Sequence, residues 1–229
     1  MIENREIQVG DVKFNMIRVE GGTFLMGAQS KDKNRDNYDA EAFDDERPVH
    51  KVILRDYYIG ETPVTQELWQ VVMGENPSHF KGAKNPVERV TWRDCQDFIK
   101  ELNQKTRLKF RLPTEEEWEF AARGGVKSKG YKYSGSNNID EVAWYSANAK
   151  NETHPVKKKK PNELGVYDMT GNVWEWCQDM NLLFYMGRYR VYRGGSWSDD
   201  ARYCRLSYRH YGTKNWYDDL GLRLVLSVE

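Results

Sequence analysis

The chain has 229 residues, and its 35 lysine and arginine residues balance 35 aspartate and glutamate residues. This length fits one large domain or two small ones, and the zero formal net charge excludes a general electrostatic attraction for nucleic acid or an anionic membrane. No stretch approaches the ~18 consecutive apolar residues of a membrane helix, and the N-terminus has no apolar segment behind a basic one. We therefore expect a cytoplasmic protein without a nucleic-acid partner or a membrane span. Display of the protein on a cell surface through a partner is compatible with this expectation.

The first part of the chain predicts strands on either side of a long loop. Residues 14–27 alternate apolar and polar side chains up to Gly27, which indicates a strand and a turn. Residues 29–46 are polar and charged without periodicity, which predicts a long surface loop. Residues 49–59 indicate another strand.

Three helices are predicted, beginning after Thr65, Thr91 and Thr114, whose hydroxyls can accept a first-turn N–H. In the third helix, Thr114 and Glu117 have the spacing of a capping box, and a glycine pair at 124–125 ends the pattern. The second helix has the clearest apolar stripe, with the i, i+3, i+4, i+7 spacing of one helix face. Its members are Cys95, Phe98, Ile99 and Leu102.

The second part of the chain predicts short strands and irregular loops. Residues 126–163 contain basic and small polar clusters without a helical pattern. The four lysines at 157–160 have no aromatic residues between them, which favours a solvated loop over a polyanion site. No internal repeat or linker divides the sequence, so we predict a single α+β domain over residues 1–229.

Several motifs of the chain resemble, in order, those of the formylglycine-generating enzyme (sulfatase-modifying factor) family. The resemblance runs from about residue 14 to residue 226 and implies a C-type-lectin-like fold with short strands, three helices and much irregular structure. The matching motifs are 19–27 (VEGGTFLMG), 46–50 (ERPVH), 60–65 (GETPVT), 86–92 (PVERVTW), 111–124 (RLPTEEEWEFAARG), 165–177 (GVYDMTGNVWEWC), 193–197 (RGGSW) and 220–224 (LGLRL).

The resemblance also implies a metal site, because the positions that match Asp168, Gly171, Val173 and Glu175 are calcium ligands in the family. Calcium prefers hard oxygen ligands, and these residues offer two carboxylates and two backbone carbonyls. The alternative interpretation pairs Glu175 with a buried arginine and lets Asp168 cap a turn. The Asp-Gly stretch of the family's second calcium site is missing before residue 160, so we expect at most one calcium ion.

The family's oxidase binds Cu(I) through two cysteines that lie five residues apart, after a Gly-Gly-Ser block. Cys204 matches the second cysteine, but Asp199 stands at the position of the first. An oxygen donor is a poor Cu(I) ligand, so we expect neither copper nor a catalytic residue. The alternative is a formylglycine-generating-type oxidase or another cysteine-dependent enzyme that uses Cys204, with Arg202 and Arg205 lowering the pKa of its thiol.

Residues 198–218, within the C-terminal segment 193–224, have a composition typical of binding surfaces. Tyrosine and tryptophan provide contact area with few rotatable bonds, and Ser, Asp, Asn and Arg provide adaptable hydrogen bonds. The segment also resembles the variable region of proteins diversified by bacterial and phage retroelements. The candidate ligand-binding positions are Ser198, Asp199, Asp200, Tyr203, Leu206, Tyr208, His210, Tyr211, Lys214, Trp216, Tyr217 and Asp218.

These observations together predict a non-catalytic protein that binds a protein or another macromolecule through residues 198–218. The cysteine-dependent enzyme remains the alternative function. A structural module within a larger assembly is a third interpretation, and it predicts no discrete ligand.

Overall fold

The computed structural model describes residues 3–180, 189–212 and 217–228. Its helices are α1 (Gln66–Met73), α2 (Trp92–Thr106), α3 (Glu115–Ala122) and α4 (Ile139–Val142). Its strands are β1 (Arg5–Val9), β2 (Val12–Val19), β3 (Gly22–Met26), β4 (His50–Leu54), β5 (Tyr57–Gly60), β6 (Phe110–Arg111), β7 (Trp174–Met180), β8 (Arg190–Arg193), β9 (Arg209–Gly212), β10 (Leu220–Leu222) and β11 (Val225–Ser227).

The three predicted helices are confirmed as α1, α2 and α3, and each is capped by the expected threonine. Thr91 accepts the N–H of Asp94 at 3.1 Å, and Thr114 accepts that of Glu117 at 3.2 Å. Both helices have a complete capping box, because the third-position carboxylate accepts the threonine N–H in return. The fourth helix was not predicted, since a single turn is too short to show a helical period.

Two predicted strands are each divided by a turn. Residues 14–27 form β2 and β3, and residues 49–59 form β4 and β5. The two turns touch, because the Asp56 carboxylate accepts the N–H of Gly21 at 2.8 Å and pairs with Arg18. A Cβ at Gly21 would lie 2.5 Å from the carbonyl oxygen of Leu54, so only glycine fits. The prediction of one continuous strand over 49–59 is therefore wrong. The alternation of apolar and polar side chains continues through the turn that the Asp56 contacts fix, so the sequence pattern gives no sign of the break.

The strands form three sheets. The order is β1-β2-β5-β11-β6 in the five-stranded sheet, β10-β7-β8-β9 in the four-stranded sheet and β3-β4 in the two-stranded sheet. In the four-stranded sheet, β10 runs parallel to β7 and places Gly221 opposite Glu175, while β8 places Arg193 opposite Glu175 on the other side. Three of the C-terminal motifs thus meet on neighbouring strands.

The main core lies between helices α1 and α2 and the sheets, and it contains Trp69, Phe98 and Trp176 among its buried residues. A second core packs α3 against β5 and β8. Within the described ranges, no helix is long and apolar enough to cross a membrane.

Candidate functional site

The Glu175 carboxylate of the predicted calcium site is engaged by a buried arginine. Arg223 donates from Nη2 to Oε1 at 2.7 Å and from Nε to Oε2 at 2.9 Å. The indole of Trp118 also donates to Oε2, at 2.6 Å. The remaining donors of Arg223 reach the carbonyls of Gly60 and Tyr167. A calcium ion at Glu175 would therefore lie against a fully buried guanidinium.

Asp168 and Gly171 hold the neighbouring turn. Asp168 is buried, and its carboxylate accepts the N–H of Lys157 at 2.9 Å and an amide hydrogen of Asn172 at 3.4 Å. Burial raises the pKa of Asp168 to about 6. Gly171 has a φ of 72°, and a Cβ there would lie 2.2 Å from the carbonyl oxygen of Trp144.

Val173 is buried beside these residues, and the Glu175 carboxylate already accepts hydrogen bonds from Arg223 and Trp118. The ion pair of the alternative interpretation is present, although Asp168 joins two segments instead of capping a turn. Elsewhere in the described ranges, no group of three or more His, Cys, Asp or Glu side chains is arranged to hold a metal. Calcium binding itself stays a prediction.

Cys204 is enclosed by packed residues. Its side chain is 1% exposed and lies in a small core with Tyr133, Ile139 and Ala143. A Cβ at Gly195 would come within 2.4 Å of its sulfur, so the glycine backbone covers the thiol directly. Burial, followed by the charge of Asp199, raises the pKa of Cys204.

The two arginines near Cys204 have other partners. Arg205 is buried and pairs with Glu46 at 2.5 Å and with Asp39 at 3.0 Å. Arg202 lies 3.7 Å over the ring of Phe43 and donates to the Glu41 carbonyl. The expectation that these arginines lower the pKa of the thiol is therefore wrong.

Asp199 and Asp219, which we call the carboxylate pair, converge on one serine. The buried hydroxyl of Ser196 donates to Asp199 and lies 3.2 Å from Asp219, which also accepts the Ser198 hydroxyl at 3.1 Å. Trp174 lies beside the pair, because its backbone N–H donates to the Asp219 carbonyl at 2.7 Å. Burial raises the pKa of both carboxyl groups. The negative charge of Asp219 adds to the effect on Asp199, and that of Asp218 adds to the effect on Asp219.

Aromatic rings form a continuous cluster next to the carboxylate pair. The ring centroids of Trp174 and Tyr192 are 5.2 Å apart, and His210 stacks on Tyr192 at 5.1 Å. Tyr208 connects this group to the ring of Phe43, at 5.9 Å from Trp174 and 5.4 Å from Phe43. We call the cluster the aromatic face; its members are Phe43, Trp174, Tyr192, Tyr203, Tyr208 and His210.

Most of the predicted ligand-binding positions lie at this surface or beside it. Leu206 does not: it is 3% exposed and packs in the second core, so its assignment to the surface is wrong. Its carbonyl accepts a hydrogen bond from buried Arg193, which fixes the backbone with the side chain inward. Lys214 and Trp216 lie outside the described residues. The exposed positions are Ser198, Asp200, His210 and Tyr217, and the half-buried ones are Asp199, Tyr203, Tyr208, Tyr211 and Asp218.

The sequence analysis missed the contribution of the 29–46 loop. The loop ends in a short turn that carries Phe43 onto Tyr203 and Tyr208, and Glu46 enters the core to meet Arg205. The available signal was Phe43 itself, a large apolar residue among charged neighbours. Asp219 was also missed, although it adjoins the predicted Asp218.

Residues 7–228 match the sulfatase-modifying factor enzyme 1-like domain. The chain belongs to this family. The C-type-lectin-like α+β fold inferred from the motifs is confirmed by the solved structure of Treponema denticola variable protein 1. That protein is 33% identical to this chain, with a TM-score of 0.86 and 100% of both chains covered.

The relatives that are similar to this chain in sequence have names that point to different activities. The chain is 36% identical to the chaperone protein LppX of Paenibacillus barcinonensis, covering 94% of this chain and 90% of that protein. It is 28% identical to a formylglycine-generating enzyme of Streptomyces coelicolor, covering 82% and 80%. It is 30% identical to the serine/threonine-protein kinase pkn1 of Chlamydia pneumoniae, of which it spans 37%. Family membership therefore leaves the activity to be argued from the site.

Proposed function

We propose that this protein binds a macromolecular ligand without transforming it, through the aromatic face and the adjoining residues 198–200. The observation that carries the proposal is the continuity of the aromatic face, from Phe43 through Tyr208 to exposed His210. Clustered tyrosine, tryptophan and histidine side chains that reach the surface are typical of binding sites.

Three further observations support a binding role. The sulfur of Cys204 is covered by the Gly195 backbone, so a substrate has no path to it. Asp199, at the position of the family's other copper-binding cysteine, offers oxygen where Cu(I) chemistry needs sulfur. The 33% identity to a variable protein supports a related role for the C-terminal segment.

We further propose that this segment is diversified by a retroelement. The test is the genomic neighbourhood of the coding sequence. A reverse-transcriptase gene and a near-copy of the 3′ end beside it are expected, and their absence from the genome rejects diversification without touching the binding role.

The alternative function is an oxidase or another cysteine-dependent enzyme, favoured by the similarity to the Streptomyces coelicolor enzyme. Incubation of the protein with Cu(I), oxygen and a cysteine-containing peptide distinguishes the two functions. Our proposal predicts an unmodified peptide by mass spectrometry. Conversion of the cysteine to an aldehyde, abolished by Cys204→Ser, would establish the enzyme.

A selection from a random peptide library tests the binding role. Phage-displayed peptides are selected on the immobilised protein and then tested against Tyr203→Ala/His210→Ala. The control is Tyr131→Ala/His50→Ala, which removes one tyrosine and one histidine outside the aromatic face. Peptides that bind the control but not the first variant are expected. A selection that yields no such peptide contradicts the proposal.

A further inference from the structure

The carboxylate pair differs from the other acidic groups around the aromatic face. Asp218 pairs with Arg89, and Glu46 pairs with Arg205. Among the described residues, no lysine, arginine or histidine lies within ion-pair distance of Asp199 or Asp219. Two half-buried carboxylates without a counter-ion are unfavourable, and a positive charge placed between them would relieve both.

The carboxylates are held in place by surrounding donors. The buried Ser196 hydroxyl reaches both groups, and the Ser198 hydroxyl adds a second donor to Asp219. Because these contacts fix the orientation of the oxygens before any ligand arrives, binding of a cation has little ordering entropy to overcome at this position.

Aromatic rings adjoin the carboxylate pair. Trp174, whose backbone N–H donates to the Asp219 carbonyl at 2.7 Å, packs edge-to-face on Tyr192, which stacks on exposed His210. Cations are attracted to the faces of tryptophan and tyrosine rings. The aromatic face already holds one such contact, since the Arg202 guanidinium lies 3.7 Å over Phe43.

The occupant fits an organic cation better than a metal ion. Asp200 and Asp218 are the nearest acidic residues in the sequence, but they bond to Ser146 and Arg89. The described residues supply no third acidic or histidine ligand to the carboxylate pair. Calcium and magnesium require six or more oxygen ligands, whereas two carboxylates beside aromatic rings match an ammonium or guanidinium group.

We infer that the aromatic face binds a basic segment of a protein partner, with one lysine or arginine side chain seated between Asp199 and Asp219. The inference rests on the proposed binding function and names the chemistry of its ligand. The aromatic rings provide contact area, and the carboxylate pair selects the charge.

The peptides that depend on Tyr203 and His210 provide the test. Each is expected to contain a lysine or arginine whose replacement by glutamine weakens binding at least tenfold. On the protein, Asp199→Asn/Asp219→Asn removes the charges but keeps acceptors for the serine hydroxyls. We expect this variant to bind the original peptide more weakly by a similar factor. Its affinity for the glutamine-substituted peptide should equal that of the wild type, as in a double-mutant cycle.

A second variant controls for net charge. Asp11→Asn/Asp97→Asn makes the same charge change at exposed positions and is expected to leave binding unchanged. Circular dichroism and thermal unfolding verify that each variant is folded.

Three outcomes overturn the inference. Peptides that depend on the aromatic face but lack basic residues, or that bind Asp199→Asn/Asp219→Asn as tightly as the wild type, reject the inference and leave the binding function intact. A selection without peptides that depend on the aromatic face rejects the binding function and the inference together.

Discussion

Cys204 lies at the position of a family cysteine and is enclosed by packed residues. Sequence matching singled out Cys204 and Asp199, because both lie at fixed distances from the Gly-Gly-Ser block. The sequence could not show that Gly195 adopts a φ of 73° and lies directly against the thiol. That contact depends on a backbone conformation, which residue types alone do not determine.

The burial of the cysteines predicts their reactivity. Cys95, Cys177 and Cys204 are all buried, and burial raises the pKa of each thiol. We expect no reaction with iodoacetamide at neutral pH in the native protein and reaction of all three thiols in denaturant, as measured by intact mass. Rapid labelling of Cys204 in the folded protein would contradict its enclosure.

Glu88 predicts a pH dependence of stability. Its side chain is 0% exposed, one oxygen accepts the N–H of Phe80 at 2.9 Å, and the other has no partner among the described residues. Burial raises its pKa to about 7 from a model-peptide value near 4.5. Between these values the folded protein binds more protons than the unfolded chain, so this group lowers stability as the pH rises from about 4.5 to 7.

The substitution Glu88→Gln tests this dependence. We expect it to flatten the pH profile in that window and to increase the unfolding free energy above pH 7 by on the order of 1–3 kcal/mol. Urea unfolding at pH 5 and pH 8 measures both effects, with exposed Glu75→Gln as the control. If Glu88→Gln is less stable than the wild type, and the difference is greater at pH 8 than at pH 5, the effect is opposite to the expected one and contradicts the prediction.

The contact between Glu175 and Arg223 separates the calcium prediction from its alternative. Because both carboxylate oxygens already accept from Arg223, the ion-pair interpretation predicts the same thermal unfolding midpoint in calcium and in EDTA, whereas the calcium prediction requires a higher midpoint in calcium. Glu175→Gln should destabilise the protein by about 3–5 kcal/mol, since it leaves a buried guanidinium without its counter-ion. A calcium-dependent rise of the midpoint that disappears in Glu175→Gln would establish calcium binding at this site.

Among the elements, the helices were more predictable from sequence than the strands. Threonine caps and an apolar stripe are local signals, and they predicted the starts of α1, α2 and α3. The division between β4 and β5 depends instead on a bond from Asp56 to Gly21, 35 residues away in sequence. Long-range contacts of this kind leave no periodic trace in a single sequence.

The 29–46 loop is the element whose role was least predictable. Its polar composition correctly indicated a loop, but its position is determined by the partners of Glu46 and Phe43 in the C-terminal segment. The loop thereby becomes one side of the aromatic face.

The ion pair between Glu46 and Arg205 predicts that this loop stabilises the protein. Glu46→Gln should lower the unfolding free energy by roughly 3 kcal/mol, the lower end for breaking a buried ion pair, because Asp39 still contacts Arg205. Urea unfolding measures the loss, and neighbouring Asp45→Asn, which is exposed, should have little effect. Equal stability of the two variants would show that the loop is not anchored in this way.

As a whole, the chain keeps the fold of its family. The motifs that the sequence analysis matched to the family form the buried framework: Arg193, Arg223 and Glu175 are all among its fully buried or nearly buried side chains. The aromatic face lies on that framework and combines segments distant in sequence, because Phe43 packs against Tyr203 and Tyr208. Family motifs predicted the framework, and the composition of residues 198–218 predicted part of the surface. The contribution of Phe43 depends on contacts between distant segments, which a single sequence does not reveal.

The affinity of one selected peptide for three proteins tests the binding role most directly. Wild type and Cys204→Ala should bind it equally and release it with an unchanged mass, whereas Tyr203→Ala/His210→Ala should bind at least tenfold more weakly, since ring contacts at interfaces often contribute more than 1 kcal/mol each. Loss of binding in Cys204→Ala with retention in Tyr203→Ala/His210→Ala, or recovery of a chemically altered peptide, would contradict a binding surface that works without the thiol.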